Sequence, residues 1–371
     1  MLKLEKTLLI ATTIILCLLG LFFVFESSAL ESFKRDGTPF FLVRNQALGF
    51  GVGLIAMFIA TLIDPKIYLK FPYLFYVLAI VSFLLCFFPG FGEVLRGNVV
   101  INGARRWIYL FNVSIQVAEI VKFCLIVFFS YLLSKTKNYL IFLTYLFPII
   151  LLSMMQKDLG SLLVIIAISF SLYILSGAPL KKITYLSLGG LALIFLMIVF
   201  SPYRRERFAT FINPQADPQG KGYHINQLLI AIGRGELMGK GIGESRQKFA
   251  YVPEVSSDSI FSIVAEEIGF IGVSIIFIIY IFFLALIWRI VQLANLNLSE
   301  KMVGYGIFML FMSQAFINLG GISGLIPFTG ITLPFFSAGS SSLVISLFLV
   351  GVIYSMTRKP ETYLIKRRKY V

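Results

Sequence analysis

Tyr203-Arg204-Arg205-Glu206-Arg207, then Asn213-Pro214-Gln215-Ala216-Asp217-Pro218-Gln219-Gly220-Lys221-Gly222-Tyr223-His224, then Gln247-Lys248-Phe249-Ala250-Tyr251-Val252-Pro253-Glu254 and finally Asp258 mark out one polar, glycine-dotted island. It separates an apolar run that ends near Phe200 from another that begins near Ser259. The remaining sequence is almost wholly hydrophobic, so the island decides the fold: apolar helices on either side of one large loop at a membrane surface. A connection of this length is functional or disordered. Work on a polar substrate at a membrane would need such an island.

Hydrophobic residues fill 58% of the 371 positions, charged residues only 13%, Phe occurs 38 times and the mean hydropathy is +0.90. These values exclude a water-soluble core and define an integral membrane protein. Crossing roughly 30 Å of hydrocarbon as a helix takes about twenty apolar residues. Such runs are read near 8–25, 46–63, 72–88, 113–133, 139–155, 159–177, 183–200, 259–288, 303–323 and 340–357. The expected fold class is all-α: a polytopic membrane protein with ten transmembrane helices and one large extracytoplasmic loop, about 201–258, between helices 7 and 8. The whole chain, 1–371, reads as a single membrane domain with a basic tail at 358–371. The polar turn Gln156-Lys157-Asp158 divides the fifth span from the sixth.

An even number of spans puts both termini on one side. The tail carries Arg358, Lys359, Lys366, Arg367, Arg368 and Lys369, and the short loops of that side carry Lys66 and Lys70, Lys135 and Lys137, Lys181 and Lys182, and Arg289 and Lys301. The positive-inside rule therefore places both termini in the cytoplasm. The loops at 26–45, 89–112 and 326–337 then face outside with the island. The first span lacks a small-residue cleavage site and reads as a retained signal anchor. Cys17, Cys86 and Cys124 lie within apolar spans and give neither a disulfide framework nor a metal site. The net charge of +14 suits anionic lipid head groups better than nucleic acid.

Asp258 sits where the outer loop gives way to apolar sequence, at the depth where water meets hydrocarbon. It can serve as the helix N-cap, as a reactive carboxylate, or as both. Gln116, Glu119 and Lys122, spaced i, i+3, i+6, are expected to share one helical face inside the fourth span. There they either hold helices in register as a buried pair or contact substrate. Asp158, at the outer start of the sixth span, carries the same two readings. Asn102-Gly103-Ala104-Arg105-Arg106-Trp107 sets two guanidiniums beside an interfacial Trp: a phosphate grip or a solvated loop with its anchor.

Inside the island, Ile225, Leu228, Leu229 and Ile232 predict a short amphipathic helix lying on the bilayer or covering a groove. Gly233, Gly235, Gly239, Gly241 and Gly243, interleaved with Arg234 and Lys240, read as turns or as a backbone nest for phosphate. His224 is the only histidine, and no Gly-x-Ser-x-Gly elbow accompanies it, which argues against a hydrolase triad. No cluster has zinc spacing. A hard divalent cation, Mg2+ or Mn2+, shared between a carboxylate and substrate phosphates is the metal chemistry these residues would suit.

Together these pieces resemble the SEDS family of bacterial cell-wall polymerases, whose members include RodA and FtsW. The likeness rests on Asn102 to Trp107; Gln116-x-x-Glu119-x-x-Lys122; Asp158-Leu159-Gly160; Arg207-Phe208 through Asp217, Gly222 and Tyr223; Gln247-Lys248 with Pro253-Glu254; Asp258 with Glu266-Glu267-Ile268-Gly269; and Asn318-Leu319-Gly320 through Gly324 to Gly330 and Pro334-Phe335. The Asn-Gly-Ala-Arg-Arg-Trp form and Gly243-x-Ser245-x-Gln247-Lys248 look closer to FtsW, the division member, than to RodA. The chain departs from the family pattern at His224, where the family has Gln. It departs again at Ser256-Ser257-Asp258-Ser259, where the family has His-Thr-Asp-Phe, and at Ala338 within Ser337 to Ser342.

The resemblance implies a peptidoglycan glycosyltransferase that polymerises lipid II, a disaccharide-pentapeptide on a polyprenyl pyrophosphate, into glycan strands on the outer face. Asp258 would be the catalytic base, while Arg105, Arg106, Lys122 or Lys248 would hold the departing pyrophosphate, with Gln116, Glu119, Asp158 and Glu254 among the substrate-binding residues. A groove between spans would take the prenyl tails. A class B penicillin-binding protein and other divisome membrane proteins are the partners it implies, and the division septum the place. Rival readings are a lipid II flippase, for which Glu119, Lys122 and Asp158 could line a polar path, a RodA-type elongation polymerase, and a noncatalytic scaffold.

Overall fold

The computed structural model describes residues 2–87, 106–110, 113–156, 158–200, 202–217, 222–248 and 257–358. A helix occupies each of the ten apolar stretches: α1 (Leu2–Asp36), α2 (Phe41–Leu62), α4 (Pro72–Leu85), α5 (Val117–Lys135), α6 (Tyr139–Met155), α7 (Leu159–Leu175), α8 (Leu180–Val199), α11 (Ile260–Leu293), α12 (Leu298–Ile322) and α13 (Ser340–Ser355). Among the described residues, α1, α2, α5, α11 and α12 are long and apolar enough to cross a membrane; α4, α6, α7 and α13 are shorter apolar helices. A short α3 (Pro65–Lys70) follows α2, with Asp64 accepting from the Lys66 amide at 2.9 Å and Pro65 at the first helical position.

Local chemistry sets the helix ends. Asn138 caps α6, Asp158 caps α7, and Asn297 with Glu300 forms a reciprocal capping box on α12. The Asp158 cap is why the fifth and sixth spans separate where the polar turn was read.

Two sequence expectations fail at the ends of spans. α1 runs on to Asp36, so 26–45 is not an outer loop: only 37–40 separates α1 from α2. Ser28 and Ser32 are buried there, and the Leu42 amide donates to Ser32 Oγ, so this polar stretch packs on protein. The fourth span does not begin at 113 either. Strands β1 (Trp107–Leu110) and β2 (Val113–Gln116) form an antiparallel hairpin with Trp107 opposite Gln116, and α5 starts only at Val117.

The helices pack through small residues, as expected where lipid removes the hydrophobic drive between helices. α2 and α13 form the most extensive pair. A Cβ on Gly49, Gly53 or Gly351 would collide with Ser340, Leu347 or the Met57 carbonyl of the facing helix. α1 bridges α2 and α11, while α5, α7 and α12 pack mutually and leave α5 enclosed on nearly all sides.

The polar island is largely helical: α9 (Pro202–Ile212), a 3-10 turn at Pro214–Ala216, and α10 (Tyr223–Gly235). α10 covers protein: Ile225, Leu228, Ala231 and Gly235 are buried against α11, whereas Leu229 is 40% exposed. The apolar stripe is thus rotated from the one read in sequence. Glycines allow the close fit, since a Cβ on Gly235 would lie 2.0 Å from the Ala265 carbonyl oxygen.

α11 is broken at Gly269 (φ 66, ψ −173). Such a break strips backbone groups of their helical partners. The turn after α10 supplies replacements. Phe270 and Ile271 donate to the carbonyls of Glu236 and Leu237, and Lys240 and Gly241 donate to those of Glu266 and Glu267, all at 2.9–3.1 Å. The glycine-rich turn is therefore a backbone staple across the kink and not a phosphate nest.

Candidate active site

Asp258 lies two residues before α11 and is 5% exposed. It is not the N-cap; Ser259 holds that position and no side chain caps the helix. Its side chain is occupied elsewhere. Ser257 Oγ and Ser259 Oγ each donate to Oδ1, at 3.3 and 3.2 Å. Asp258 Oδ2 faces Gly330, whose Cβ, if it had one, would lie 3.2 Å away. Gly330 has φ +75, a conformation that favours glycine independently of the crowding.

Three other segments meet around Asp258. Asn318 on α12 donates through Nδ2 to the Asp258 carbonyl at 2.9 Å and to the Ile331 carbonyl at 2.7 Å, tying α12, the start of α11 and the 323–339 segment at one point. His224, on the first turn of α10, sets Nε2 3.0 Å from Ser259 Oγ and packs edge-on against Phe328. Arg207 of α9 donates to the Phe328 carbonyl at 3.1 Å. Burial, with Arg207 nearby as a second cause, pushes the His224 imidazole down to about 4, so it is neutral near pH 7. The first turn of α7 touches the same segment, where a Cβ on Gly160 would meet Ile331 and the Thr329 carbonyl.

A second charged cluster sits further along α11. Glu266 accepts from Ser245 Oγ at 2.5 Å and pairs with Arg234 at 3.3 Å. Lys248 bridges Glu267 at 3.0 Å and Glu26 of α1 at 3.2 Å. Six residue steps of α11, from Ile260 to Glu266, put this cluster about 9 Å along the axis from the helix start that Asp258 precedes.

The remaining sequence-read residues divide clearly. Glu119 and Lys122 are paired at 2.6 Å, both buried, and Gln314 of α12 donates to Glu119 at 3.2 Å. Gln116 does not share their helical face; it ends β2 in extended conformation, and its backbone N–H donates to Ser341 Oγ. The reason is the hairpin, which keeps residue 116 out of the helix. Asp158 accepts from the Ser161 amide at 3.1 Å and lies 3.9 Å from Arg106 Nε. Arg105, Glu254 and most of the basic tail lie outside the described residues. Cys17, Cys86 and Cys124 are free and buried. Among the described residues no three His, Cys, Asp or Glu side chains converge as a metal site.

An apolar groove of about 540 Å³ opens beside this site, between α11 and α12. Phe261, Ala265, Phe277, Leu284, Phe316 and Leu319 are among its lining residues, and Phe261 is one residue into the helix that Asp258 precedes.

A family model described as Cell cycle protein, covering FtsW, RodA and SpoVE, matches residues 6–362. The chain belongs to this FtsW/RodA/SpoVE family. It is 37% identical over 361 residues, 95% of its own length and 96% of the relative's, to Stage V sporulation protein E of Bacillus subtilis strain 168. It is 36% identical over 359 residues, covering 93% and 90% of the two chains, to a protein of Saccharophagus degradans named "Probable peptidoglycan glycosyltransferase FtsW". It superimposes with a TM-score of 0.76, at 26% identity over 95% and 97% of the two chains, on a solved structure described as "Structural coordination of polymerization and crosslinking by a peptidoglycan synthase complex". The Thermus thermophilus rod shape determining protein RodA shares the fold, with a TM-score of 0.69 at 22% identity over 95% and 96%. This member of the FtsW/RodA/SpoVE family is a multi-pass membrane protein.

Sequence reading gave Asn318 no role as a clamp and did not bring His224 to Ser259 beside Asp258. One signal was available: the family-pattern departures at 224 and 259 fall on two side chains that touch.

Proposed function

We propose that this chain is a peptidoglycan glycosyltransferase that polymerises lipid II on the outer face of the cytoplasmic membrane. The observation that carries the reading is a buried, hydrogen-bonded carboxylate, Asp258, three residues before Phe261, which lines an apolar groove. That pairing suits a substrate with a sugar head and a long prenyl tail, and the named relatives support it.

In this reaction Asp258 takes the proton from the acceptor sugar hydroxyl as that oxygen attacks the anomeric carbon. The new glycosidic bond forms, the bond to pyrophosphate breaks, and the configuration inverts. Pyrophosphate leaves readily once neutralised, so the carboxylate pair of a glycosidase is unnecessary. Arg105 and Arg106 supply guanidiniums for its oxygens. Among the described residues no further carboxylate joins Asp258 as a ligand set for Mg2+ or Mn2+.

Ten crossings with both termini in the cytoplasm, a single domain spanning the chain, a class B penicillin-binding protein as partner and a role at the septum complete the proposal. The flippase reading is weaker because Glu119, Lys122 and Gln314 satisfy one another in the packed interior, which supports a register role over a polar path. The test is polymerisation of lipid II by purified protein in detergent, where flipping has no meaning. Asp258→Asn, which keeps the shape, is expected to fold and to slow turnover by roughly 100-fold or more. Near-normal turnover in that variant would overturn Asp258 as the base.

A further inference from the structure

The structure places an imidazole and a hydroxyl in series behind the Asp258 carboxylate. Ser259 Oγ lies 3.2 Å from Asp258 Oδ1 and 3.0 Å from His224 Nε2. A serine hydroxyl has one proton to donate. If that proton goes to the carboxylate, His224 Nε2 must carry its own hydrogen and donate to Ser259 Oγ. The opposite arrangement would set the hydroxyl oxygen against Oδ1 with no proton between them. Only the Nε2–H tautomer satisfies both contacts.

Packing fixes the imidazole as well. His224 stands on the first turn of α10, its ring edge-on to Phe328 with centroids 4.8 Å apart. Ser259 is fully buried, and its carbonyl accepts from Ser262 as α11 begins. The hydroxyl is thus confined by a rigid helix start on one side and a packed ring on the other. α10 is itself anchored to α11 by Leu228 against Ile263 and by the staple across Gly269.

We propose that His224 is a positioning residue for the glycosyl transfer, acting through Ser259: its Nε2–H directs the Ser259 proton onto Asp258 Oδ1 and so fixes the carboxylate with Oδ2 toward Gly330. The proposal rests on the reading of Asp258 as the base. It assigns to α10, the covering helix of the polar island, a direct part in aligning the reacting group. Preorganised hydrogen bonds of this kind act on the chemical step more than on ground-state binding.

The experiment measures kcat and KM for lipid II polymerisation by the purified full chain in detergent, with melting curves for every variant. His224→Leu and Ser259→Ala are each expected to lower kcat by roughly tenfold with KM within about twofold. Because the two act in series, the double variant should be no slower than Ser259→Ala alone. His224→Gln, whose amide can take the donor role, should recover most of the rate lost in His224→Leu. If Ser259→Ala does not fold, the Leu and Gln variants at 224 decide by themselves. Wild-type kcat in His224→Leu, losses that multiply in the double variant, or an effect confined to KM would each overturn the proposal. Should those results coincide with a dead Asp258→Asn, the base reading stands and only the positioning role falls. An active Asp258→Asn removes both.

Discussion

Gly239 and Gly269 meet backbone to backbone: a Cβ on Gly269 would lie 2.2 Å from the Gly239 amide nitrogen, and one on Gly239 2.1 Å from the Glu267 carbonyl oxygen. Both residues have positive φ. The contact lets the turn after α10 bond the broken turn of α11, and through α10 it carries His224 to the Asp258 end of the bundle.

Gly239→Ala and Gly269→Ala are each expected to destabilise by at least about 2 kcal/mol, from left-handed strain plus lost staple bonds. Their combined cost should fall short of the sum, since either one opens the same contact. Gly233→Ala is the control: it is exposed on α10 with nothing within 4 Å, and the change should be neutral or slightly stabilising. Thermal melting in detergent gives all three, and a tolerated Gly269→Ala would show that the staple is not needed.

Glu119 and Lys122 should behave as one unit. Removing either partner strands a charge in the interior and is expected to cost about 3 to 5 kcal/mol, whereas losing both costs less than the sum. The melting temperatures of Glu119→Ala, Lys122→Ala and the double variant measure this coupling. Small and strictly additive losses would mean that the pair does not hold α5 to α12.

His224 gives stability a pH dependence of known sign. Its imidazole sits at about 4 in the fold against an ordinary 6.5, so the unfolded chain binds more protons between those values. The contribution is fully present above pH 6.5 and is lost as pH falls toward 4, with an upper bound of about 3 kcal/mol. As the buffer is taken from pH 7 to pH 4, the melting temperature of wild type should fall relative to that of His224→Gln. Parallel curves would mean that His224 is not held neutral.

The proposed orientation predicts which side is labelled. Met238, 79% exposed in the turn after α10, should react as Met238→Cys with an impermeant thiol reagent on whole cells. Lys66→Cys, on α3, should not react. The three native cysteines are buried and give little background. The reverse pattern would sink the orientation and, with it, synthesis on the outer face.

What the sequence determined by itself is the set of apolar helices and the polar island. A membrane imposes one simple rule, long hydrophobic runs with satisfied backbones, that can be read residue by residue. Asp258 was legible for the same reason, as a carboxylate at the edge of such a run, and so were Glu119 and Lys122, one helical turn apart. Gln116 was misread because a strand pairing with Trp107, and not helical periodicity, governs it.

Tertiary structure decided everything that depends on contacts distant in sequence. Asn318 reaches Asp258 across 60 residues and His224 reaches Ser259 across 35. The turn at 236–241 repairs a break at Gly269 that composition does not announce. Glycines that read as loose turns are among the closest contacts between segments, since a residue without a Cβ lets two backbones approach to hydrogen-bonding distance. Sequence periodicity reports which face of an element is apolar; it carries no information on which polar atom, many residues away, will satisfy a buried carbonyl or carboxylate.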